Sequence, residues 1–339
     1  SAEMAALVGA QRRHVRGEDF EVGAADIEDR ALWAARGEAR RRLLDGAAER
    51  LARNFLDRHD SPRLLSKMID GLVPEALLIG AARRFAPYKR ADLLLRDVDR
   101  LAALLGNPVR PVRLLLAGKA HPRDDLGQAI LRQVANLSRD PRLVGKLILL
   151  EDYDIDLARL LVQGCDAWLT TPRHLLEASG TSGMKAAANG GLNVSVLDGW
   201  WPEAYDGGNG WTIGGDRVYE DPDVQDELDA TLLFDLLEEE VAPLFFERDH
   251  EGLPRRWLSR VRRGLVTIPP RFDTERMVGE YWRRFYVPMA LRRQSLEADR
   301  HATRRELTRR RDRLSRLFPR IRILDARVAD LERARAGDS

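Results

Sequence analysis

The chain has 339 residues, 44% hydrophobic and 32% charged, and its 56 Lys+Arg against 54 Asp+Glu give a formal net charge of +2. That length holds one large or two medium domains with real cores, and the apolar fraction excludes a wholly disordered chain. The single cysteine, Cys165, excludes a disulfide framework and a cysteine-based zinc cluster, no run of about 18 apolar residues offers a membrane span, and near-neutral charge does not indicate a dedicated nucleic-acid binder.

In chain order, residues 27–59 carry Leu32, Trp33, Leu43, Leu44, Ala47, Leu51 and Phe55 near helical spacing, which predicts one long helix or two. Short apolar runs follow at 77–79, 112–116, 147–150, 167–169 and 194–197, the pattern of strands buried on both faces. Amphipathic stretches at 89–105, 125–137 and 155–163 lie between them and predict helices. Such alternation predicts an α/β fold, a doubly wound parallel sheet whose ligands bind beyond the carboxyl ends of the strands. After residue 220 strands fade; 223–247 and 274–287 look helical, and 296–335 reads as an Arg-rich helical tail with Leu307, Leu314, Leu317, Ile321, Leu324, Val328 and Leu331, most simply a solvated helix face.

Four segments carry candidate chemistry. The first is Ala81–Arg90, where Arg83, Arg84, Lys89 and Arg90 follow a predicted strand and open a predicted helix, a setting that favours oxyanions. A solvated basic turn in an Arg-rich chain would read the same way. The second is 114–122, with Gly118, Lys119 and His121 at a strand end, equally a tight turn. The third is 176–193: Gly180, Thr181, Ser182 and Gly183 form a small-residue loop before a helix predicted from about Met184, a phosphate cradle with Lys185 just inside. It is not a Walker motif. Five of the 56 basic residues are lysines (Lys67, Lys89, Lys119, Lys146, Lys185), so a lysine here asks whether a primary amine is needed, either as a charge partner or for a Schiff base with pyridoxal phosphate. Glu177 is placed to bind a polyhydroxy substrate, to cap the loop or to pair with an arginine. The fourth is 197–215, where Trp200, Trp201, Tyr205 and Trp211 among glycines and acids suit either a sugar platform or a packed loop.

The stretch Glu177–Lys185, E-A-S-G-T-S-G-M-K, resembles the pyridoxal-phosphate signature of the α-glucan (glycogen, starch, maltodextrin) phosphorylases, and Arg83–Arg90, R-R-F-A-P-Y-K-R, resembles their phosphate-binding turn. The segments at 117–122, 150–153 and 198–211 resemble the short bacterial and archaeal branch, in matching order, and the likeness runs over roughly residues 27–290. The resemblance implies the C-terminal, cofactor-binding lobe of a two-lobed GT-B type glycosyltransferase. Residues 1–70 are then a helical lead-in from a missing N-terminal lobe, 71–220 the Rossmann-like lobe, 221–295 its helical completion and 296–339 the tail. It also implies phosphorolysis of terminal α-1,4 bonds in α-glucan or maltodextrin by inorganic phosphate, with retention, giving glucose 1-phosphate, and pyridoxal 5'-phosphate as a proton shuttle.

Residue by residue, the resemblance implies that Lys185 holds the cofactor as a Schiff base. Lys89, with the backbone of Gly180 and Thr181, grips its phosphate, and Tyr153 lines its pocket. Arg84 binds substrate phosphate, with Arg83 beside it in place of a family lysine, and Glu177 with the backbone of Ser179 and Gly180 contacts glucose hydroxyls. Lys185, Arg84 and Lys89 are the expected catalytic set, with no metal. Asp154 stands where the animal enzymes have a basic residue and Ala86 where they have a histidine, which puts allosteric control in doubt. Because the chain begins at Ser1 and shows no signal-peptide pattern, it is expected to be a cytoplasmic fragment, inactive alone, with no nucleic-acid or membrane partner and with homo-oligomerisation left open. The competing readings are a glycogen-synthase-type nucleotide-sugar glucosyltransferase, whose usual E-P-x-G turn is here Glu177-Ala178-Ser179-Gly180, and a non-catalytic glucan-binding lobe.

Overall fold

The computed structural model describes Met4 and residues 6–7, 26–215 and 219–322. Six strands, β1 (Leu77–Ala82), β2 (Val112–Ala117), β3 (Leu147–Leu150), β4 (Ala167–Thr170), β5 (Leu192–Val196) and β6 (Gly210–Ile213), form one sheet in the order β3-β2-β1-β4-β5-β6. Every pairing is parallel, with Leu77 opposite Val112, Ile79 opposite Ala167 and Leu114 opposite Leu147. The α/β doubly wound fold expected from the sequence is therefore observed. Winding reverses between β1 and β4, and the carboxyl ends of these two neighbours form the switch point.

The helices of this part of the chain are α1 (Asp29–Asp57), α2 (Pro62–Asp70), α3 (Val98–Leu105), α4 (Asp125–Leu137), α5 (Ile155–Gly164), α6 (Ser182–Ala187), α7 (Trp201–Ala204), α8 (Pro222–Leu236), α9 (Ala242–Phe246), α10 (Arg255–Thr267) and α11 (Pro269–Phe272). An aspartate begins several of them: Asp97, Asp124, Asp154 and Asp221 each accept a backbone N–H of the first turn, satisfying donors that have no intrahelical partner.

The unbroken apolar runs follow from burial on both faces. Leu77, Ile79 and Ala81 face one core with Leu114, Leu116, Leu147 and Leu149, while Leu78 and Ala82 face the other with Leu115, Ile148, Leu150 and Trp168. The second core is closed by Leu43, Leu44, Ala47, Leu51 and Phe55 of α1, the residues whose spacing predicted that helix. Each such leucine contributes about 1.5–3 kcal/mol on burial.

Two differences from the sequence reading bear on the site. The helix predicted over 89–105 is α-helical only over Val98–Leu105; Pro87–Lys89 and Leu93–Leu95 are isolated 3₁₀ turns separated by Arg90 at φ +47°. The basic turn thus opens no α-helix, contrary to the expectation from sequence. Pro87 pre-sets a tight turn, and the left-handed Arg90 interrupts helical propagation. Strand β6 falls within the aromatic segment, where the glycine-rich setting hid the short run Trp211-Thr212-Ile213. Helices α2 and α10 were also unanticipated.

The chain divides into two compact units, Ser1–Asp273 and Thr274–Ser339. In the second, α12 (Thr274–Tyr281) runs through a wide π turn at Trp282–Tyr286 into α13 (Val287–Leu317), which is kinked where Asp299, Arg300 and His301 have φ +47°, +51° and +66°. None of its described residues is buried. The tail positions Leu324, Val328 and Leu331 lie outside the described residues. Among the described residues no helix is long and apolar enough to cross a membrane.

Candidate functional site

The β1–α3 connection carries Arg83 to Arg90, and the β4–α6 connection carries Thr171 to Thr181, so both leave the switch point from adjacent strand ends. They meet through side chains. Lys89 Nζ bonds the Glu177 carboxylate in an ion pair that is mostly shielded from solvent. Two residues predicted from separate motifs, 88 positions apart, are thereby brought into contact.

Arg83 faces inward. Nη1 donates to the Lys89 carbonyl at 2.9 Å and to Thr171 Oγ1 at 3.3 Å, and Nη2 donates to the Leu169 carbonyl. It braces the root of the site from the ends of β1 and β4. Burial, with the Arg90 charge adding, pushes its guanidinium down to about 10 against the pull of Glu177, so it stays a cation at neutral pH. Arg84 is exposed, with no hydrogen bond or ion pair to a described residue. Of the paired arginines, one is part of the frame and the other is available to a ligand.

The loop after β4 is anchored from β5. Asp198 accepts the Glu177 N–H at 2.8 Å, and the Trp200 N–H donates to the Ser179 carbonyl at 3.0 Å. The backbone of Gly199 (φ +61°) passes so close that a Cβ there would lie 2.2 Å from the Ser179 oxygen, so only glycine fits. Gly180 differs: at φ +79° it also needs glycine's freedom, but a Cβ there would have its nearest neighbour 3.8 Å away, leaving room in front of the loop. The N–H groups of Ser179, Gly180 and Thr181 donate to no described residue. Behind the loop, Trp168 Nε1 donates to Ser182 Oγ at 3.1 Å and Asn193 Nδ2 to the Gly183 carbonyl at 3.1 Å.

Lys185, on α6, is exposed, and its amine has no partner among the described residues. Tyr153, beyond β3, is half-buried against the core that includes Trp168, and burial raises its phenol. Asp154 caps α5 through Leu157 N at 2.8 Å and accepts Arg50 at 2.6 Å, a structural use. The loop's free backbone donors, the exposed Arg84 on the neighbouring β1 connection and the Lys185 amine, which has no partner among the described residues, are the donor types that suit a phosphate ester bearing an aldehyde, the chemistry of pyridoxal phosphate. Among the described residues no cluster of three or more His, Cys, Asp or Glu could hold a metal.

The aromatic segment resolves toward packing. Trp200, Trp201 and Trp211 are 6%, 0% and 3% exposed; Trp201 Nε1 donates to the Trp211 carbonyl and Trp200 packs edge-on against Phe272. Sequence reasoning missed Thr171 and Asp226, which tie the loops together. Arg90 was noted only as one more charge, and Asp226, 136 residues from it, offered no signal.

The first unit is thus a doubly wound α/β lobe with basic side chains and an open glycine loop at the carboxyl ends of its central strands. The family model described as carbohydrate phosphorylase matches residues 65–204. The chain is 42% identical over 299 residues to the glycogen phosphorylase of Mycobacterium tuberculosis, covering 88% of this chain and 35% of that protein. It is 42% identical over 286 residues to the maltodextrin phosphorylase of Thermococcus litoralis, covering 84% and 33%, and 40% identical over 263 residues to the glycogen phosphorylase of Aquifex aeolicus, covering 77% and 37%. The chain belongs to the α-glucan phosphorylase family. It spans about a third of the length of these curated relatives.

Proposed function

We propose that this chain is the cofactor-holding lobe of an α-1,4-glucan phosphorylase. The observation that carries the reading is the contact of Lys89 with Glu177 across the switch point, with Lys185 and Arg84 on the same two connections exposed and without a partner among the described residues. A cation suited to phosphate lies next to a carboxylate suited to sugar hydroxyls, with a free amine on the same loop system. The lobe is the unit ending at Asp273, in which α1 of the 1–70 lead-in closes one core of the 71–220 sheet region and the helices of 221–273 complete it; the rest of the 221–295 segment and the 296–339 tail belong to the second unit.

Lys185 attaches pyridoxal phosphate covalently, a role arginine lacks the chemistry to fill. Lys89 and the N–H groups of Gly180 and Thr181 neutralise the cofactor's phosphate, and Tyr153 lines the ring's pocket. Arg84 binds inorganic phosphate as a bidentate donor while Arg83 braces the turn beneath it. Glu177, with the N–H groups of Ser179 and Gly180, orients the terminal glucosyl unit. When bound, the cofactor supplies a phosphate that exchanges a proton with inorganic phosphate. Two adjacent phosphates repel, and the cations of this site offset that repulsion most where water is excluded. Excluding it requires a second wall, which we assign to an N-terminal lobe supplying the remaining sugar contacts.

The test compares phosphate-dependent release of glucose 1-phosphate from maltodextrin by this chain and by a protein extended to the length of its relatives. The reading expects turnover from the extended protein only, with cofactor retained by both. No glucose 1-phosphate from either, or glucosyl transfer from a nucleotide sugar, contradicts it.

A further inference from the structure

The two site loops are joined at their roots by one side chain. Arg90 ends the β1 loop, and its guanidinium is buried. Nε donates to the Thr171 carbonyl at 3.0 Å, Nη2 to the Pro172 carbonyl at 2.8 Å and Nη1 to Asp226 Oδ1 at 2.9 Å, with Asp229 Oδ2 2.8 Å from Nη1. The β4 loop reciprocates. The Thr171 hydroxyl lies 3.2 Å and 3.1 Å from the Lys89 and Arg90 carbonyls, and the Arg173 N–H donates to the Tyr88 carbonyl at 2.7 Å. Arg173 also pairs with Asp226, so this one carboxylate on α8 holds an arginine from each loop.

We propose that Arg90 and Asp226 are positioning residues that set the gap between the segment bearing Arg84 and Lys89 and the segment bearing Glu177, Gly180 and Thr181. The inference rests on the function proposed above. The Arg90 guanidinium is buried and its Nε, Nη1 and Nη2 are each taken up by these groups, so it acts through them. A planar fork that meets two carbonyls and a carboxylate in fixed directions sets orientation as well as distance, which a lysine ammonium cannot do. Lys89 directly precedes Arg90, and a displacement at the root is carried to its ammonium. A phosphate held between donors of one loop and an ammonium of the other senses that gap, because charge-assisted hydrogen bonds need close, aligned contact.

The test separates the phosphate's share of cofactor affinity from the rest. The 339-residue chain, Arg90→Lys and Asp226→Asn are titrated with pyridoxal 5'-phosphate and with phosphate-free pyridoxal, following the absorbance of the lysine imine, alongside melting curves. The ratio of the two affinities is expected to fall about tenfold in Arg90→Lys and by less in Asp226→Asn, which leaves Arg90 its second aspartate, while pyridoxal affinity holds. Equal loss for both ligands, or no change for either, overturns the inference and leaves a purely structural role. An imine absent from the unsubstituted chain overturns the inference together with the proposed function. If Arg90→Lys does not fold, Asp226→Asn carries the test.

Discussion

The two ends of the sheet differ in whether their cations are all engaged. At the amino end, Arg36 and Arg40 of α1 are 2% and 6% exposed and fully engaged. Arg40 grips both oxygens of the buried Asp166, at 3.2 Å and 2.8 Å, and that carboxylate also accepts the Leu78 N–H. Arg36 donates to the Gly164 and Cys165 carbonyls at the end of α5 and to the Asn189 carbonyl, covering acceptors that a helix terminus leaves without intrahelical partners. At the carboxyl end, Arg84 and Lys185 are exposed and have no partner among the described residues. Satisfied cations fasten α1 to the sheet; Arg84 and Lys185 are the ones proposed to meet a ligand.

The largest effect should come from breaking the fastened end. Asp166→Ala leaves two buried guanidinium groups without their carboxylate and is expected to cost about 3–5 kcal/mol of stability, read by denaturant unfolding. A loss under about 1 kcal/mol would mean that the carbonyl contacts suffice alone.

Substituting the exposed Lys185 or Arg84 should leave stability nearly untouched and remove function. Lys185→Arg is expected to abolish cofactor attachment with stability within about 0.5 kcal/mol of the unsubstituted chain. In a protein extended to the length of its relatives, Arg84→Ala should weaken phosphate binding far more than cofactor retention, and Lys89→Ala the reverse. Matching effects of the two on both ligands would erase the division of labour between them. The smallest effect concerns Cys165, whose thiol burial pushes well above its ordinary range. It should resist thiol reagents at mildly alkaline pH in the folded chain and react only after denaturation, whereas rapid native reaction would show that this end opens readily.

The asymmetry also explains what could be read in advance. Strands buried on both faces write themselves as apolar runs, so Leu77–Leu78–Ile79 and Leu147–Leu150 were legible, as was α1 from its spacing. The candidate site was legible where chemistry is concentrated locally, in Glu177–Lys185 and Arg83–Arg90. The division between Arg83 and Arg84 was not, because adjacent arginines differ only in which way the backbone turns them. The helix predicted from residue 89 failed because apolar spacing says nothing about Arg90 adopting φ +47° to reach Thr171 and Asp226. The aromatic segment stayed ambiguous because tryptophans in a core and in a sugar platform have the same composition.

The most direct test of the open end's role is covalent. The purified chain is loaded with pyridoxal 5'-phosphate, reduced with borohydride, digested and mapped by mass. The account predicts the added mass of one reduced cofactor on the peptide carrying Lys185, with Lys67, Lys89, Lys119 and Lys146 unmodified. No added mass, or its appearance on another lysine, would contradict it.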